Sequence, residues 1–495
     1  MHDRPNVEEL SCDLCVAGAG IAGLNALFAA TRYLARGQKV VLIDRNEGAG
    51  GMWNSAYDYV RLHQPHPLFT AGNIAWTFGN KPSYLATRRE VLGHLRHCLD
   101  VERKRLRVDE RFGYEYRSHE EPATTPADVV VQCDAVQPGR PGLRITTKRF
   151  IKAFGFDVHT NAALALSSQH VRSVSPDRFD LLGQQMRESD APIFIVGGGK
   201  TGMDTAYTLI SNYPKRAIYI LIGEGTMFGS RDKLFPAGLR RYWLGATPLE
   251  SFLDVARRFD GYNEREVLDF FRRRYAVSLI PKPRRFLLGL LSEHENQTIA
   301  RGVRDIITDY LTDVADIDGQ PTLRLRNGER RAVEPGSWFI NCTGYFHKHP
   351  TPHEPYLSRG GSVLSIQATS AIHALTTNSG FLLAHLWFRG ALQRLPLYEL
   401  DMNALYEKDR DTFAACVPTH SLYNGSLAVP VLPRRVIAEF GVDLARWYPA
   451  PRRLLDGLRF IRYLKQHPDH LRRSLDVVRE RFGIACGPLP HVAQV

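Results

Sequence analysis

The 495-residue chain is poor in the features that mark several large protein classes. No apolar run approaches the roughly 18 residues that a membrane-crossing helix needs. The most apolar stretch, Phe381 to Trp387, is short and contains His385. Cysteine is scarce: seven in all, odd in number and scattered, which argues against a disulfide framework and fits a reducing, cytoplasmic setting. The one close pair, Cys12 and Cys15, reads as part of a strand. Side chains three apart on a strand point to opposite faces, so neither a redox couple nor a metal site is expected there. Residues 1–10 carry acids and no apolar h-region, so they are not read as a secretory leader. There is no G-x-S-x-G elbow and no P-loop, which leaves hydrolase and kinase chemistry without footing. Acids are the under-represented charge: 64 Lys and Arg against 52 Asp and Glu give a net +12. That balance favours anionic partners, whether nucleic acid, lipid or a phosphorylated cofactor.

What remains is ordinary globular composition, 44% hydrophobic and 23% charged. The length suggests roughly three units. Two stretches carry most of the information. In the first, an apolar strand from Leu14 to Ala17 runs into Gly18-Ala19-Gly20-Ile21-Ala22-Gly23 and then a helix rich in small residues. A second strand, Lys39 to Ile43, ends on Asp44 and Arg45. Gly18 permits the tight turn, Gly20 lets backbone approach a pyrophosphate, and Gly23 lets the helix pack on the strand. The helix N-terminus offers N–H groups to the phosphates, with Ile21 and Ala22 in the turn. Asp44 stands where a carboxylate can accept from a ribose diol. In the second stretch, the strand Pro192 to Val196 leads into Gly197-Gly198-Gly199-Lys200-Thr201-Gly202, then a helix through Met203 to Ile210 that contains Asp204, then a strand from Ala217 to Ile222. Two such units predict two dinucleotide sites, and two dinucleotides facing each other usually exchange a hydride.

The segment from about 231 to 310 reads as helical. Thr322 to Arg326 and Trp338 to Asn341 read as strands about the Asn327-Gly328 turn. An apolar helix from Phe381 to Leu392 follows Thr377-Asn378-Ser379-Gly380. The chain ends in a basic amphipathic segment, Arg452 to Phe482.

These residues resemble the two-dinucleotide flavoproteins of the flavin-containing monooxygenase type, motif by motif from about Cys12 to Gly390. The first glycine turn looks like that family's FAD turn. Gly50-Gly51-Met52-Trp53 resembles its GG-x-W element beside the flavin, and Tyr57 to Pro65 resembles the segment that follows. Ala153-Phe154-Gly155 stands where an A-T-G strand end is expected. Gly197 to Asp204 is similar to the NADPH turn. Asn341-Cys342-Thr343-Gly344-Tyr345 is similar to the A-T-G-Y that returns the chain to the FAD domain. His66 to Thr70 and Tyr84 to Glu90 also resemble lysine and ornithine N-hydroxylases.

The resemblance implies an α/β fold of two Rossmann-like dinucleotide-binding domains, with a helical C-terminal extension. The expected parts are an FAD domain over 12–185 and 336–400, an inserted NAD(P)H domain over 186–335 with a helical insertion at about 231–310, and the extension over 401–495. It implies FAD and NADPH or NADH as cofactors, with molecular oxygen and a small organic molecule as substrates. In that family the reduced flavin forms a C4a-(hydro)peroxide that oxygenates nitrogen, sulfur or a related centre. The alternative is a non-oxygenating flavin reductase or oxidase of the same fold. Arg61, His63 and Gln64 are the candidate catalytic groups, and Trp53 a flavin-facing one. Thr343, Gly344, Asn378, Ser379 and Gly380 are expected at FAD, and Arg231 at the nicotinamide nucleotide.

The chain departs from the family at several points. Leu164 and Leu166 occupy the Phe and Gly positions of its F-x-G-x-x-x-H signature, leaving only His170. Gly223 and Glu224 stand where an arginine commonly grips the 2′-phosphate of NADPH, and a carboxylate there suits NADH. Ser337 replaces the aspartate usual before A-T-G-Y.

Simpler assignments compete for other residues. Trp53 also fits core packing, and Arg61 an ordinary surface position. His63 and His66 form HxxH without a third ligand, and His94, His97 and Cys98 fit a packed or solvated helix face, so no metal is expected. The basic surplus is assigned to two pyrophosphate cofactors and a solvated tail rather than to nucleic acid. In that tail Leu454, Leu455, Leu458 and Leu464 are expected to pack inward, with arginines outward and interleaved acids between them. Docking of the tail on an anionic surface is the weaker alternative. Self-association is left open.

Overall fold

A computed structural model describes residues 7–121, 128–155, 158–344, 351–370, 372 and 376–487; Tyr345 of the A-T-G-Y-like element lies outside them. Two five-stranded, wholly parallel sheets organise the chain. The first runs Val363–Ser365, Phe150–Lys152, Leu14–Ala17, Lys39–Asp44, Arg107–Phe112 in spatial order. The second runs Asp305–Ile307, Ile218–Leu221, Ile193–Val196, Trp338–Asn341, Arg172–Val174. The central strands of both sheets are buried along their whole length, as expected of parallel strands covered on both faces. A four-stranded sheet (Val7–Cys12, Gly142–Thr147, Val129–Ala135, Tyr114–Glu120) leans on the first sheet, packing Tyr114 and Leu143 against Val41 and Phe150.

Three local expectations are corrected. The 231–310 segment is mixed. Its helices Pro248–Ala256, Glu264–Tyr275 and Glu293–Gly302 alternate with the strands Ala276–Ser278 and Arg285–Leu291, which flank Thr226–Ser230 in a small sheet. Trp338–Asn341 does not pair across the Asn327-Gly328 turn. That turn joins Gln320–Leu325 to Arg330–Ala332, while Trp338–Asn341 lies parallel to Ile193–Val196. Its four residues are all buried, and only the interior of a covered sheet offers such a place. The apolar helix begins earlier than expected, spanning Thr376–Phe388, so Thr377 to Gly380 form its first turns rather than precede it.

The C-terminal region is helical, and it does not stand alone. Its central helix, Arg410–Ala428, is buried over most of its length despite an internal proline, Pro418. One apolar core joins it to the inserted segment: Val255, Phe259, Val267 and Phe271 pack with Leu405, Phe413, Leu475 and Val478. Hydrogen bonds seal the junction. The Tyr448 hydroxyl donates toward the Leu234 and Ala246 carbonyls at 3.1 and 2.8 Å, and the Trp447 ring N–H donates to the Pro236 carbonyl at 2.9 Å.

The tail reverses one expectation. Its amphipathic segment forms two helices, Ala450–Gln466 and His470–Phe482. In the first, Leu454, Leu455 and Leu458 face solvent and only Asp456 is buried. Asp456 is held there by the Thr247 hydroxyl at 2.7 Å and by Arg459 at 3.2 Å. Phe460, Tyr463 and Leu464 share that inward face and pack against Ala256, Leu422 and Leu471, so of the four leucines expected inside only Leu464 packs.

Candidate functional site

The first glycine turn is built by close backbone approach. Gly18 has φ +108°, and a Cβ there would stand 2.4 Å from the Ala153 carbonyl oxygen. A Cβ on Gly23 would stand 1.8 Å from the Gly18 carbonyl oxygen. Two further elements converge on this turn. A Cβ on Gly51 would meet the Gly20 Cα at 2.8 Å, and one on Gly380 would meet the Ala22 carbonyl oxygen at 2.5 Å. The GG element at 50–51 and the Thr376–Phe388 helix therefore reach the 18–23 turn, as the resemblance implies. Met52 is exposed, and Trp53 is half-buried against the core with its ring edge-on to Phe69 at 5.9 Å.

The second turn repeats the design. A Cβ on Gly202 would stand 1.9 Å from the Gly197 carbonyl oxygen, and one on Gly197 would meet the Cys342 carbonyl oxygen at 2.4 Å. Gly199 has nothing within 4 Å of its Cβ direction, so the turn is open on that side. The helices that follow, Ile21–Ala30 and Lys200–Asn212, both start on a glycine with no side-chain cap. By contrast Arg88–Glu102 and Glu293–Gly302 carry full capping boxes. Uncapped first turns present backbone N–H groups and the positive end of the helix dipole, which fits a pyrophosphate at each turn.

The segment from Tyr57 to His66 bridges the two units. The Tyr57 hydroxyl donates to Asp204 at 2.7 Å, and the Tyr59 hydroxyl lies 2.6 Å from the Thr205 hydroxyl. Burial, with Asp204 beside it, pushes the Tyr57 phenol well up, so it remains a donor. Asp204 also pairs with Lys200 one turn earlier. His63 lies where these elements meet. Its carbonyl accepts from Arg231 Nε at 2.7 Å, and Arg231 in turn pairs with Glu295 at 2.9 Å. Burial, then the charges of Lys200 and Arg231, hold the His63 imidazole well below its usual range, so it is neutral. Burial would raise the Glu295 carboxyl, but Arg231, Lys200 and the hydrogen bonds from the Ser292 N–H and hydroxyl together bring it below its ordinary value.

Sequence reasoning did not single out Tyr57 or Glu295. The S-x-x-E spacing of Ser292 and Glu295 signals a capping box, which is present, but not the ion pair to Arg231.

Other expected residues are placed elsewhere or engaged. Arg61 is exposed and donates to the Leu85 carbonyl at 3.2 Å. Gln64 is half-buried beside His63. Arg45 reaches Glu115 on the surface at 3.8 Å. Asp44 is buried at its strand end and accepts from the Ala19 N–H at 2.6 Å and from the Asn46 backbone N–H at 2.8 Å, so it braces the turn itself. Gly155 is exposed at the end of its strand segment. Thr343 follows Trp338–Asn341, where Asn341 accepts from its N–H and hydroxyl and Asn161 donates to its carbonyl at 2.7 Å; Gly344 is open to solvent. Asn378 is buried, and the Ser379 hydroxyl donates to the Ser370 carbonyl at 2.7 Å. His170 is exposed and lies 3.0 Å from Asp316. His94 stacks on Trp76 at 3.9 Å, a packed helix face. Cys12 and Cys15 fall in two successive strands and are free thiols.

Glu224 is not the free carboxylate that the sequence suggested. It pairs with Arg285, with Arg284 at 3.8 Å and the Tyr310 hydroxyl at 3.4 Å.

Residues 16–87 match the NAD(P)-binding Rossmann-like domain family. An uncharacterised protein of Mycobacterium tuberculosis is 26% identical over 351 residues, which are 68% of this chain. The chain spans 60% of the length of that relative. Among solved structures, an oxidised steroid monooxygenase bound to NADP aligns over 96% of this chain and 99% of its own, with a TM-score of 0.50 and 12% identity. A flavin-containing monooxygenase from Stenotrophomonas maltophilia aligns over 77% of this chain and 98% of its own, with a TM-score of 0.44 and 15% identity. At these identities the likeness is one of fold. The expected resemblance is borne out at that level: the chain is an α/β protein with an NAD(P)-binding Rossmann-like domain, and it shares its fold nearly end to end with a steroid monooxygenase.

Proposed function

We propose that the chain is an FAD-dependent, NAD(P)H-consuming monooxygenase that oxygenates a small organic molecule, with FAD at the 18–23 turn and the nicotinamide nucleotide at the 197–202 turn. One observation carries this reading: two glycine turns on two parallel sheets, both with uncapped helices, are linked by a 57–66 segment that touches the second helix.

When bound, FAD supplies the redox and oxygen chemistry. The chain's own groups have other tasks. Tyr57 donates to Asp204 and so fixes the first turns of the Lys200–Asn212 helix. Lys200 and Arg231 stand beside His63, each paired with a carboxylate, Asp204 and Glu295; burial and these cations keep the imidazole neutral, while the cluster stays balanced in charge. The neutral His63 imidazole has one nitrogen to donate and one to accept, so it can hold a carbonyl or amide of a bound ring. Glu295 anchors Arg231 and keeps its guanidinium in place. Trp53, next to the GG element, packs edge-on against Phe69.

The position of His170 favours a second reading, a flavin oxidoreductase that moves hydride without inserting oxygen. This histidine is the sole remnant of the monooxygenase signature, and it is exposed and engaged with Asp316. Purified protein supplied with NADPH or NADH under oxygen-18 separates the two. The expected result is a yellow protein that places labelled oxygen in at least one amine or sulfide. Nucleotide oxidation matched by hydrogen peroxide, with no labelled product across the panel, supports the second reading. A colourless protein that cannot be reconstituted with FAD overturns both.

A further inference from the structure

The Ala450–Gln466 helix is 17 residues long and buries only one of them, Asp456. Leu454 and Leu458 are 69% and 65% exposed, and Leu455 and Ile461 are about half exposed. Their spacing gathers them on one face of the helix. The Gly238–Tyr242 turn, with the residues just after it, lies against the start of this helix. It is fastened there by Arg452, which donates to the carbonyls of Leu244 and Gly245 at 2.6 and 2.7 Å. That turn exposes apolar groups too: Leu239 by 71%, Trp243 by 68%, and Tyr242 and Leu244 by nearly half. So many large apolar side chains at one edge are not ordinary surface scatter.

The exposed charges on these two elements are basic. Residues 238–247 include Arg240 and Arg241 and no acid. The helix adds Arg453, Arg459, Arg462 and Lys465, and its sole acid is the buried Asp456. Beside the stripe, a cavity of about 630 Å³ between this helix, Pro248–Ala256 and Glu264–Tyr275 is lined by Arg257, Arg258, Arg459 and Arg462, against Glu250, Asp254 and Asp456. A second copy of the chain docking here by two-fold symmetry would bring two basic rims together. A nucleic acid would meet the arginines but leave the leucines in water. A surface that is anionic outside and apolar just beneath satisfies both sets, with Trp243 and Tyr242 at its boundary.

We propose that the exposed stripe of the Ala450–Gln466 helix and the adjoining 239–244 turn form a docking surface for an anionic phospholipid bilayer, on which the protein lies peripherally. Among the described residues no helix is long and apolar enough to cross a membrane, so attachment would be to one face.

Flotation of the full-length protein with vesicles tests this. The protein is expected to float with phosphatidylcholine–phosphatidylglycerol vesicles, far less with phosphatidylcholine alone, and less as salt rises. Leu454→Ser with Leu458→Ser, and separately Trp243→Ala, are expected to weaken binding by about tenfold or more with an unchanged thermal midpoint. Arg462→Glu with Lys465→Glu is expected to do the same through charge. Failure to float with anionic vesicles overturns the proposal, as does binding that the leucine and tryptophan variants leave intact. A stable dimer that the leucine variant converts to monomer assigns the face to self-association instead. Tight binding to duplex DNA that survives the leucine changes assigns it to a polyanion.

Discussion

Single residues set the two turns by what they lack. Gly23→Ala puts a methyl 1.8 Å from the Gly18 carbonyl oxygen, and backbone on both sides prevents relief. We expect that variant to purify without flavin, whereas Gly48→Ala, with nothing within 4 Å, keeps the normal flavin-to-protein absorbance ratio. Glu224 carries a different prediction. Its pairing with Arg285 neutralises the charge that would repel a 2′-phosphate and leaves Arg284, 78% exposed on its side chain, at the site. Glu224→Gln is expected to raise the ratio of kcat/KM for NADPH over NADH, on the order of tenfold, as measured by nucleotide oxidation. An unchanged ratio would place the 2′ position elsewhere. Glu399 makes stability depend on pH. Burial pushes its carboxyl up to about 7, and the Tyr356 N–H at 2.8 Å opposes this only in part. A carboxyl raised in the folded state favours folding while protonated, so its contribution is full below its unfolded value and disappears as pH rises toward 7. Glu399→Gln should therefore raise the thermal midpoint at pH 8 and leave it nearly unchanged at pH 4, a difference of about 3 kcal/mol by linkage. Equal effects at both pH values would contradict it.

Elements act here through their ends and their faces. The helices at the glycine turns start uncapped, while Thr87 and Glu90 close the Arg88–Glu102 helix reciprocally. Thr87→Ala is expected to cost about 1 kcal/mol in denaturant unfolding without changing cofactor content. The 57–66 segment is tied to the second unit by the Tyr57 and Tyr59 hydroxyls and the His63 carbonyl. Tyr57→Phe removes the bond to Asp204 and should raise KM for the nicotinamide nucleotide roughly tenfold while flavin content holds. Parallel loss of flavin would mean that the segment serves folding first. The Ala450–Gln466 helix has two apolar faces, and only the one that carries Phe460, Tyr463 and Leu464 packs inward. Asp456 joins that face through Thr247 and Arg459, and Leu454, Leu455 and Leu458 lie on the exposed one.

At the scale of the molecule, the inserted segment and the C-terminal helices share one core although they lie far apart in sequence. Leu475 and Val478 are fully buried against it. Leu475→Ala should lower the unfolding free energy by about 2–5 kcal/mol. A surface-like effect below about 0.5 kcal/mol would mean that the tail packs less firmly than its burial indicates. Because the core is shared, truncation after Pro449 removes structural packing along with the exposed stripe, so point variants are the cleaner probe of that surface.

Both glycine turns, with the strand before and the helix after each, were legible in the sequence. Their constraints are local: a carbonyl a few residues away excludes any side chain at Gly23 and Gly202. Legible too, by motif, were the visits of residues 50–51 and 380 to the first turn. The sequence could not show that Trp338–Asn341 enters the second parallel sheet, because a short apolar strand carries no mark of its partner. Nor could it show that Glu224 is neutralised, that Arg61 faces solvent while His63 meets Lys200 and Arg231, or that the tail's leucines are exposed. Each of these depends on groups brought together from distant segments, and the free energy of a charge or an apolar face belongs to the surroundings that only the tertiary fold supplies.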